Sequence, residues 1–215
     1  MTIPGTELPG SDPVIKEYAQ IAAYYDEKWS FYIDTTARET MARLNLRPTE
    51  HVLDVGCGTG ALLSYLTSFF PKIQLSGIDL VPEMLAIARH KLPSAIELRE
   101  GSVEQLPFQD GLFDVVVSCN MFHYIRQPVV ALREMQRVLQ PGGRLVITDW
   151  CDDYIACRIC DLYLRLFNRA HYKTYGKEEC IRLLEETGYT EVEVERFKIN
   201  WLWGLMTARA KKNVG

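Results

Sequence analysis

Short apolar runs alternate along most of the chain with stretches whose apolar residues recur at helical spacing. The run around Val115, Val116 and Val117 is continuous, which is typical of a central parallel strand covered on both faces. The stretches between the runs end near proline. The pattern predicts strands at 52–55, 73–78, 95–99, 112–119 and 144–150, helices at 62–70, 82–92 and 128–139, and a turn at 141–143.

The two ends of the chain add further elements. Residues 13–46 have two helical faces, and residues beyond 150 predict a helix at 152–170, a loop at 171–176, a helix at 177–187 and strands at 191–195 and 199–209. Alternating β and α elements with a closing hairpin predict an α/β fold, with a doubly wound, mostly parallel sheet that has one antiparallel strand at its end. We predict one domain over 1–215, divided into a flexible arm at 1–12, N-terminal helices at 13–46, a ligand-binding core at 50–150, a helical insert at 151–188 and a closing β-hairpin at 189–211.

Three glycines follow the first strand at alternate positions, Gly56, Gly58 and Gly60. Glycines between a strand and a helix let the backbone turn sharply and let a ligand lie against it without a Cβ in the way. The helix that follows offers free N–H groups beside such a ligand. Asp79 ends the second strand about twenty residues later, where a nucleoside-binding unit places the acid that holds the ribose hydroxyls.

Asp54 bears on the type of nucleoside ligand. The glycines together with Ala61 also satisfy the loose dinucleotide pattern G-x-G-x-x-A. Asp54 lies two residues before the first glycine, where a carboxylate faces a pyrophosphate unfavourably and a cation favourably. S-adenosylmethionine carries an ammonium and a sulfonium and has no phosphate, so the sequence favours this ligand over a dinucleotide.

Residues 54–60, Asp-Val-Gly-Cys-Gly-Thr-Gly, resemble the first motif of the class I S-adenosylmethionine-dependent methyltransferases. More specifically, the chain resembles the group that includes the ubiquinone and menaquinone biosynthesis methyltransferases. The resemblance implies a Rossmann-like methyltransferase fold of seven strands, with the N-terminal helices as a lid over the cofactor. It also implies in-line methyl transfer to a small-molecule acceptor, with release of S-adenosylhomocysteine. It covers roughly residues 50–150 and continues, in the family's order, through 77–80, 101–108, 113–118 and 137–145.

The candidate cofactor residues gather where the parallel strands end, because ligands of open parallel sheets bind outside the carboxyl ends of the strands. The family usually carries an acid where this chain has Ser102-Val103, so Ser102, the neighbouring backbone or Glu104 must hold the adenine amino group. Tyr25 is expected to close over the methionine end or the substrate. We predict cofactor contacts from Tyr25, Asp54, Gly56, Cys57, Gly58, Gly60, Asp79, Leu80, Met84, Ser102, Val103, Glu104, Cys119 and Asn120.

Catalysis by in-line displacement needs a base only if the nucleophile carries a proton that must be removed. His123, at the end of strand four, is the candidate base because histidine titrates near neutrality. Its ring could instead hydrogen-bond to a neighbouring helix and hold the loop's shape. Asp149 could orient it or cap the next helix. We predict acceptor contacts from Tyr24, Trp29, Phe122, Tyr124, Trp150, His171 and Tyr175.

Charge and composition argue against several classes of partner. The 215 residues carry a net charge of −4, which argues against a general nucleic-acid partner. No apolar run approaches the ~20 residues of a membrane span, and the first twelve residues lack signal-peptide character, so we expect a cytoplasmic protein. Cys157 and Cys160 form one C-x-x-C pair without a second Cys/His pair, so we expect reduced thiols and no metal.

Three other functions stay open at this point. An RNA or protein methyltransferase would share the same cofactor motifs. A non-catalytic partner subunit that binds S-adenosylmethionine would keep the glycine turn and Asp79 without turnover. A dehydrogenase is disfavoured by Asp54 and by the closing hairpin, and a binding comparison with NAD would decide.

Overall fold

A seven-stranded sheet organises the computed structural model, which describes residues 12–214. The strands are β1 (His51–Val55), β2 (Gln74–Asp79), β3 (Glu97–Glu100), β4 (Phe113–Cys119), β5 (Leu139–Trp150), β6 (Tyr189–Lys198) and β7 (Gly204–Lys212). The α-helices are α1 (Pro13–Lys28), α2 (Ser30–Leu44), α3 (Ala61–Phe69), α4 (Pro82–Lys91), α5 (Pro128–Val138), α6 (Ile155–Phe167) and α7 (Lys177–Glu186), with a 3-10 turn at Phe122–Tyr124.

The first described residue begins the first helix. The Asp12 side chain accepts a hydrogen bond of 2.7 Å from the Val14 N–H and so caps α1. The remainder of the predicted arm, residues 1–11, lies outside the described residues.

The strands follow the order β3-β2-β1-β4-β5-β7-β6. Neighbours are parallel from β3 to β5, and β7 is antiparallel to both β5 and β6. This arrangement confirms the predicted doubly wound, mostly parallel sheet with an antiparallel strand near its end. The chain continues from β1 to β2 and β3 on one side and returns to β4 on the other. Such a reversal opens a crevice at the carboxyl ends of β1 and β4.

Helices cover both faces of the sheet. Val115 and Val117 of β4 belong to an apolar cluster with residues of α2, α3 and α4, whereas Val116 belongs to a second cluster with residues of α5 and α7. All three valines are fully buried, as expected for a central parallel strand. A third and smaller cluster joins α1 to α4 through Ala22 and Met84. The packing of α1 is therefore separate from the two main clusters.

The predicted turn at 141–143 is wrong, because these residues lie inside β5. The pairing of β5 with β4 shifts its register between Phe113 and Val115. Gly142 has a φ of +76°, a conformation open to glycine at little cost. The Pro-Gly-Gly stretch is thus accommodated as an irregularity within the strand.

The second strand of the closing hairpin also begins later than predicted. It starts at Gly204 rather than at 199, because the Asn200 side chain accepts the N–H groups of Leu202 (2.8 Å) and Trp203 (2.7 Å) and closes a turn. The helix predicted at 152–170 is shorter than expected and covers Ile155–Phe167.

Two features are absent from residues 12–214. In this part of the chain, no helix combines the length and the apolar character that crossing a membrane requires. Across the same residues, no three His, Cys, Asp or Glu side chains converge as metal ligands would. All six cysteines fall within the described range and are unpaired.

Candidate active site

A cavity lies at the carboxyl ends of β1, β2 and β4, beneath α1 and α2. It occupies the position that the strand order predicts, at the reversal between β1 and β4. Its walls come from the turn after β1, the ends of β2 and β4, the segment after β3 and the two N-terminal helices.

The glycine turn is held against the end of β2. The N–H groups of Gly56 and Cys57 both donate to the Ile78 carbonyl, at 2.8 Å and 3.0 Å. Gly58 has a φ of +52°, and a Cβ added there would meet no atom within 4 Å. The turn therefore presents bare backbone to the cavity, which suits a ligand that lies against it.

Asp79 is a fixed acceptor on the cavity wall. Its Oδ2 accepts the Gly58 N–H at 2.7 Å and its Oδ1 accepts the Val81 N–H at 2.9 Å. Burial raises the pKa of this carboxyl, although backbone hydrogen bonds from Val81, Gly58 and Leu80 oppose that shift. Each carboxylate oxygen has a further lone pair, so the group can still accept hydrogen bonds from a ligand's hydroxyls.

Asp54 is a buried carboxyl group without a matching partner. Its side chain lines the cavity, the residue is 1 % exposed, and its Oδ1 has no hydrogen-bond partner among the described residues. Burial first, and the nearby charge of Asp79 second, raise the pKa of Asp54 to about 8. A cationic group in the cavity would supply the missing partner.

The cavity brings together most of the residues that the sequence predicts as cofactor contacts. Of the predicted cofactor residues, all line the cavity except Gly60, which caps the start of α3. The Glu104 carboxylate already has a partner on the cavity wall, since it accepts the backbone N–H (3.2 Å) and the side-chain amide (3.3 Å) of Gln127. Ser102 accepts the Glu104 N–H at 3.1 Å, and its own hydroxyl proton stays available to a ligand.

The N-terminal helices contribute more of the wall than the sequence analysis predicted. Tyr18, Ile33 and Thr36 line the cavity beside Tyr25. The hydroxyls of Tyr18 and Tyr124 hydrogen-bond to each other across the cavity edge. The signal for Tyr18 was present in the sequence, since it lies seven residues before Tyr25 and therefore on the same helical face.

The predicted base, His123, does not line the cavity. The 3-10 turn directs its ring inward, where Nδ1 lies 2.6 Å from Asp149 Oδ1 and the backbone N–H donates to Asp149 Oδ2 at 3.0 Å. The ring stacks on Trp150 with centroids 5.2 Å apart, and the residue is 3 % exposed. The geometry corresponds to the other interpretation of His123, a ring that holds the loop's shape.

Most of the predicted acceptor residues also lie away from the cavity. Tyr124 lines it. Phe122 and Tyr175 pack against each other in the core, with ring centroids 5.1 Å apart. Trp150 and His171 pack beside the His123 ring. The two residues on the outer side of the helices are Tyr24, which is 46 % exposed, and Trp29, which is 36 % exposed.

The cavity is better equipped for binding than for proton transfer. Burial raises the pKa of the Tyr18 and Tyr124 phenols, so both stay neutral hydrogen-bonding groups. Burial likewise raises the pKa of the Cys119 thiol to about 12, which keeps it protonated. Among the described residues that line the cavity there is no histidine. The remaining ionisable groups are chiefly carboxyls, which favour a cationic ligand.

The seven-stranded sheet with its antiparallel β7, the glycine turn and the two acids at the ends of β1 and β2 form the arrangement expected of a class I S-adenosylmethionine-dependent methyltransferase domain. The sequence comparison agrees with this class. Residues 53–147 match the family model described as "Methyltransferase domain".

Two curated relatives are similar over most of this chain. Demethylspheroidene O-methyltransferase from Rhodobacter capsulatus is 30 % identical over 189 residues, which are 86 % of this chain and 47 % of that protein. Demethylmenaquinone methyltransferase from Deinococcus radiodurans is 36 % identical over 153 residues, which are 68 % of this chain and 64 % of that protein. The chain thus spans about half to just under two thirds of the length of these relatives.

A solved structure with a similar fold is the complex between the Haloferax volcanii Trm112 methyltransferase activator and its methyltransferase. The matched chain superposes with a TM-score of 0.81 at 21 % identity, over 92 % of this chain and 98 % of that chain. At this identity the likeness supports the fold assignment.

Proposed function

We propose that this protein binds S-adenosylmethionine in the cavity and transfers its methyl group to a small-molecule acceptor, releasing S-adenosylhomocysteine. The observation that carries the proposal is the buried Asp54 carboxyl, whose Oδ1 has no partner among the described residues. An ammonium group is the partner that such a carboxylate favours most. A dinucleotide would instead place a negatively charged phosphate beside the Asp54 carboxylate.

The other wall residues fit the remaining parts of this cofactor. The free lone pairs of Asp79 are placed to accept the ribose hydroxyls. Leu80 and Met84 supply apolar surface for a flat base. Ser102 and the adjacent backbone are candidates for the adenine amino group, because the Glu104 carboxylate is already bound to Gln127.

The cofactor supplies a methyl group that its positive sulfur already activates. The chain's own contribution is then orientation and the exclusion of water, which together account for much of an enzyme's acceleration of such a step. Tyr18 and Tyr124 stay neutral and can donate hydrogen bonds to an acceptor oxygen. The His123 and Asp149 pair acts indirectly, by fixing the turn that carries Tyr124.

The small-molecule acceptor is the finer part of the proposal. It is supported by the names of the two curated relatives, which denote small molecules. The net charge of −4 also disfavours a nucleic-acid acceptor.

Calorimetric titration with S-adenosylmethionine, methylthioadenosine and NAD tests the proposal. Methylthioadenosine keeps the adenosine and lacks the ammonium, so it separates the two acids. Asp54→Asn should weaken S-adenosylmethionine at least about tenfold and leave methylthioadenosine within about twofold, because only the first ligand offers Asp54 a cation. Asp79→Asn should weaken both ligands, and Asp110→Asn, at an exposed acid that precedes β4, should change neither.

Either of two results would contradict the cofactor assignment. One is tighter binding of NAD than of S-adenosylmethionine, and the other is equal loss of both adenosyl ligands in Asp54→Asn. Methyl transfer from labelled S-adenosylmethionine to a panel of small acceptors then tests the reaction. Labelling of protein or RNA alone would contradict the small-molecule acceptor.

A further inference from the structure

Helix α6 turns its apolar side to solvent. The exposed fractions are 78 % for Ile155, 65 % for Ile159, 62 % for Leu162 and 69 % for Leu166. These four residues repeat at intervals of four and three and so form one stripe along the helix, about 18 Å long at 1.5 Å per residue. Two further exposed side chains widen the stripe, Tyr163 and Phe167. We call these six residues the α6 stripe.

Polar contacts on the opposite side of α6 hold this orientation. Asp161 is 7 % exposed and accepts from the Thr174 N–H at 2.7 Å, and its Oδ1 lies 2.8 Å from His171 Nε2. At the end of the helix, the Asn168 side chain donates to Glu17 of α1 at 3.0 Å. Rolling the stripe inward would break the buried Asp161 contacts, which is costly. The stripe is therefore a fixed feature of the surface.

The charged side chains that flank the stripe are cationic. Arg158, Arg165 and Arg169 are exposed, whereas Asp161, the acid within α6, is on the buried side. Arg158 lies 3.4 Å from Asp152 and Arg165 lies 3.8 Å from Asp161, and such long contacts of exposed arginines contribute little. This basic flank stands out on a chain whose net charge is −4.

The loop at 199–203 lies beside α6. It packs on the first turns of α6, where Cys157 Sγ lies 3.2 Å from the Gly204 carbonyl, and the Lys198 ammonium lies over the Tyr154 ring. Trp201 in this loop is 83 % exposed. Exposed tryptophan beside cationic side chains is typical of segments that lie in a lipid–water interface.

We propose that the α6 stripe and Trp201 bind the surface of an anionic lipid bilayer, with α6 lying in the plane of the interface. The apolar side chains enter the acyl boundary, and Arg158, Arg165, Arg169 and Lys198 meet the phosphate groups. Charge favours this partner over a second copy of the chain, because self-pairing through α6 would bring a row of arginines from each copy into one interface and the exposed side of α6 offers no acid to oppose them. The proposal is independent of the methyl-transfer assignment.

Co-sedimentation of the ligand-free protein with vesicles tests the proposal. We expect binding to vesicles that contain phosphatidylglycerol, weaker binding to phosphatidylcholine alone, and release as salt rises, because cationic contacts are screened. Ile159→Gln/Leu166→Gln should lower the partition coefficient at least about tenfold. Its matched control, Phe69→Gln/Leu112→Gln, removes two exposed apolar residues outside α6 and should change the coefficient less than about twofold.

A second pair of variants isolates the charge. Arg158→Gln/Arg165→Gln should reduce the preference for phosphatidylglycerol, whereas Arg38→Gln/Arg209→Gln, which alters exposed arginines elsewhere, should preserve it. Far-ultraviolet circular dichroism confirms that each variant is folded.

Two outcomes would overturn the proposal. The first is an absence of sedimentation with phosphatidylglycerol vesicles, or an equal loss in the stripe variant and its control. The second is a dimer in sedimentation velocity that Ile159→Gln/Leu166→Gln dissociates while vesicle binding stays unchanged, which would assign the stripe to a second copy of the chain.

Discussion

The buried Asp54 carboxyl favours the binding of a cationic ligand but lowers the stability of the ligand-free protein. Its carboxyl is buried beside Asp79, and the raised pKa of about 8 means that ionisation in the folded state is costly. In the unfolded chain the same group ionises near its ordinary value of about 3.9. The folded state therefore holds a proton that the unfolded state has lost between about pH 4 and pH 8, and stability falls as the pH rises through that window.

Asp54→Asn should remove this pH dependence. Asparagine has no proton to lose. As the pH rises from 5 to 8, we therefore expect the free energy of unfolding of the natural protein to fall by about 2–4 kcal/mol relative to that of the variant. Urea unfolding of both proteins at several pH values measures the difference. Asp110→Asn, at an exposed acid, is the control, and its stability should depend on pH in the same way as that of the natural protein. If the free energies of unfolding of Asp54→Asn and of the natural protein differed by a constant amount across this window, the raised pKa of Asp54 would be contradicted.

The residue positions that the sequence predicted best are those set by local chain geometry. Asp54 and Asp79 each end a strand beside the glycine turn, so their spacing alone places them together. His123 lies outside the cavity because the direction of its ring depends on Asp149, 26 residues away in the chain. Tyr24 and Trp29 lie outside it for a related reason, since neighbouring aromatic residues on a helix point to different sides.

At the scale of elements, one polar junction fastens α2 to the end of β4. Asn120 has a φ of +57°, which asparagine tolerates better than most residues. Its Oδ1 accepts the Tyr32 hydroxyl at 2.7 Å, and its Nδ2 donates to Thr36 at 2.7 Å. The Tyr32 hydroxyl in turn accepts the Trp150 indole N–H. Because Asn120 lines the cavity, this junction couples the helix to the binding site.

Tyr32→Phe should weaken that junction. The change removes the donor to Asn120 and leaves the Trp150 N–H without its acceptor, so we expect a loss of about 1–3 kcal/mol of stability and weaker binding of S-adenosylmethionine. Tyr24→Phe is the matched control, because its hydroxyl makes no hydrogen bond among the described residues and its ring is 46 % exposed. Thermal unfolding and calorimetry measure both effects. Equal behaviour of the two variants would show that the junction is not part of the site's support.

Element type was more predictable than element orientation. The pattern located the helices and strands because buried faces repeat at 3.6 or 2 residues. The same rule predicts that an apolar stripe faces the core, and α6 departs from it because Asp161, His171 and Thr174 form a buried polar contact on the other side. The start of β7 was missed because the Asn200 side chain, not hydrophobic periodicity, closes the preceding turn.

At the scale of the whole molecule, α1 packs apart from the common core. Its apolar contacts form a small cluster with α4 that is separate from the two large clusters on the faces of the sheet. Asp26 adds polar contacts, accepting the Thr59 hydroxyl at 2.6 Å and pairing with Lys91 at 2.6 Å. Elements with few buried apolar contacts open most easily. We therefore expect α1 to act as the lid of the cavity, opening while the rest of the fold stays closed.

Hydrogen exchange with and without S-adenosylmethionine tests this expectation. Because Tyr18 and Tyr25 of α1 line the cavity, a bound cofactor should slow exchange in α1 much more than in α5, which lies on the other face of the sheet. Asp26→Ala removes the contacts to Thr59 and Lys91 and should speed cofactor release about fivefold, the effect of about 1 kcal/mol on the closed state. Asp110→Ala breaks a comparable exposed ion pair with Arg137, away from the lid, and should leave the release rate unchanged. Equal protection of α1 and α5, or equal release rates in the two variants, would mean that the cofactor enters by another route.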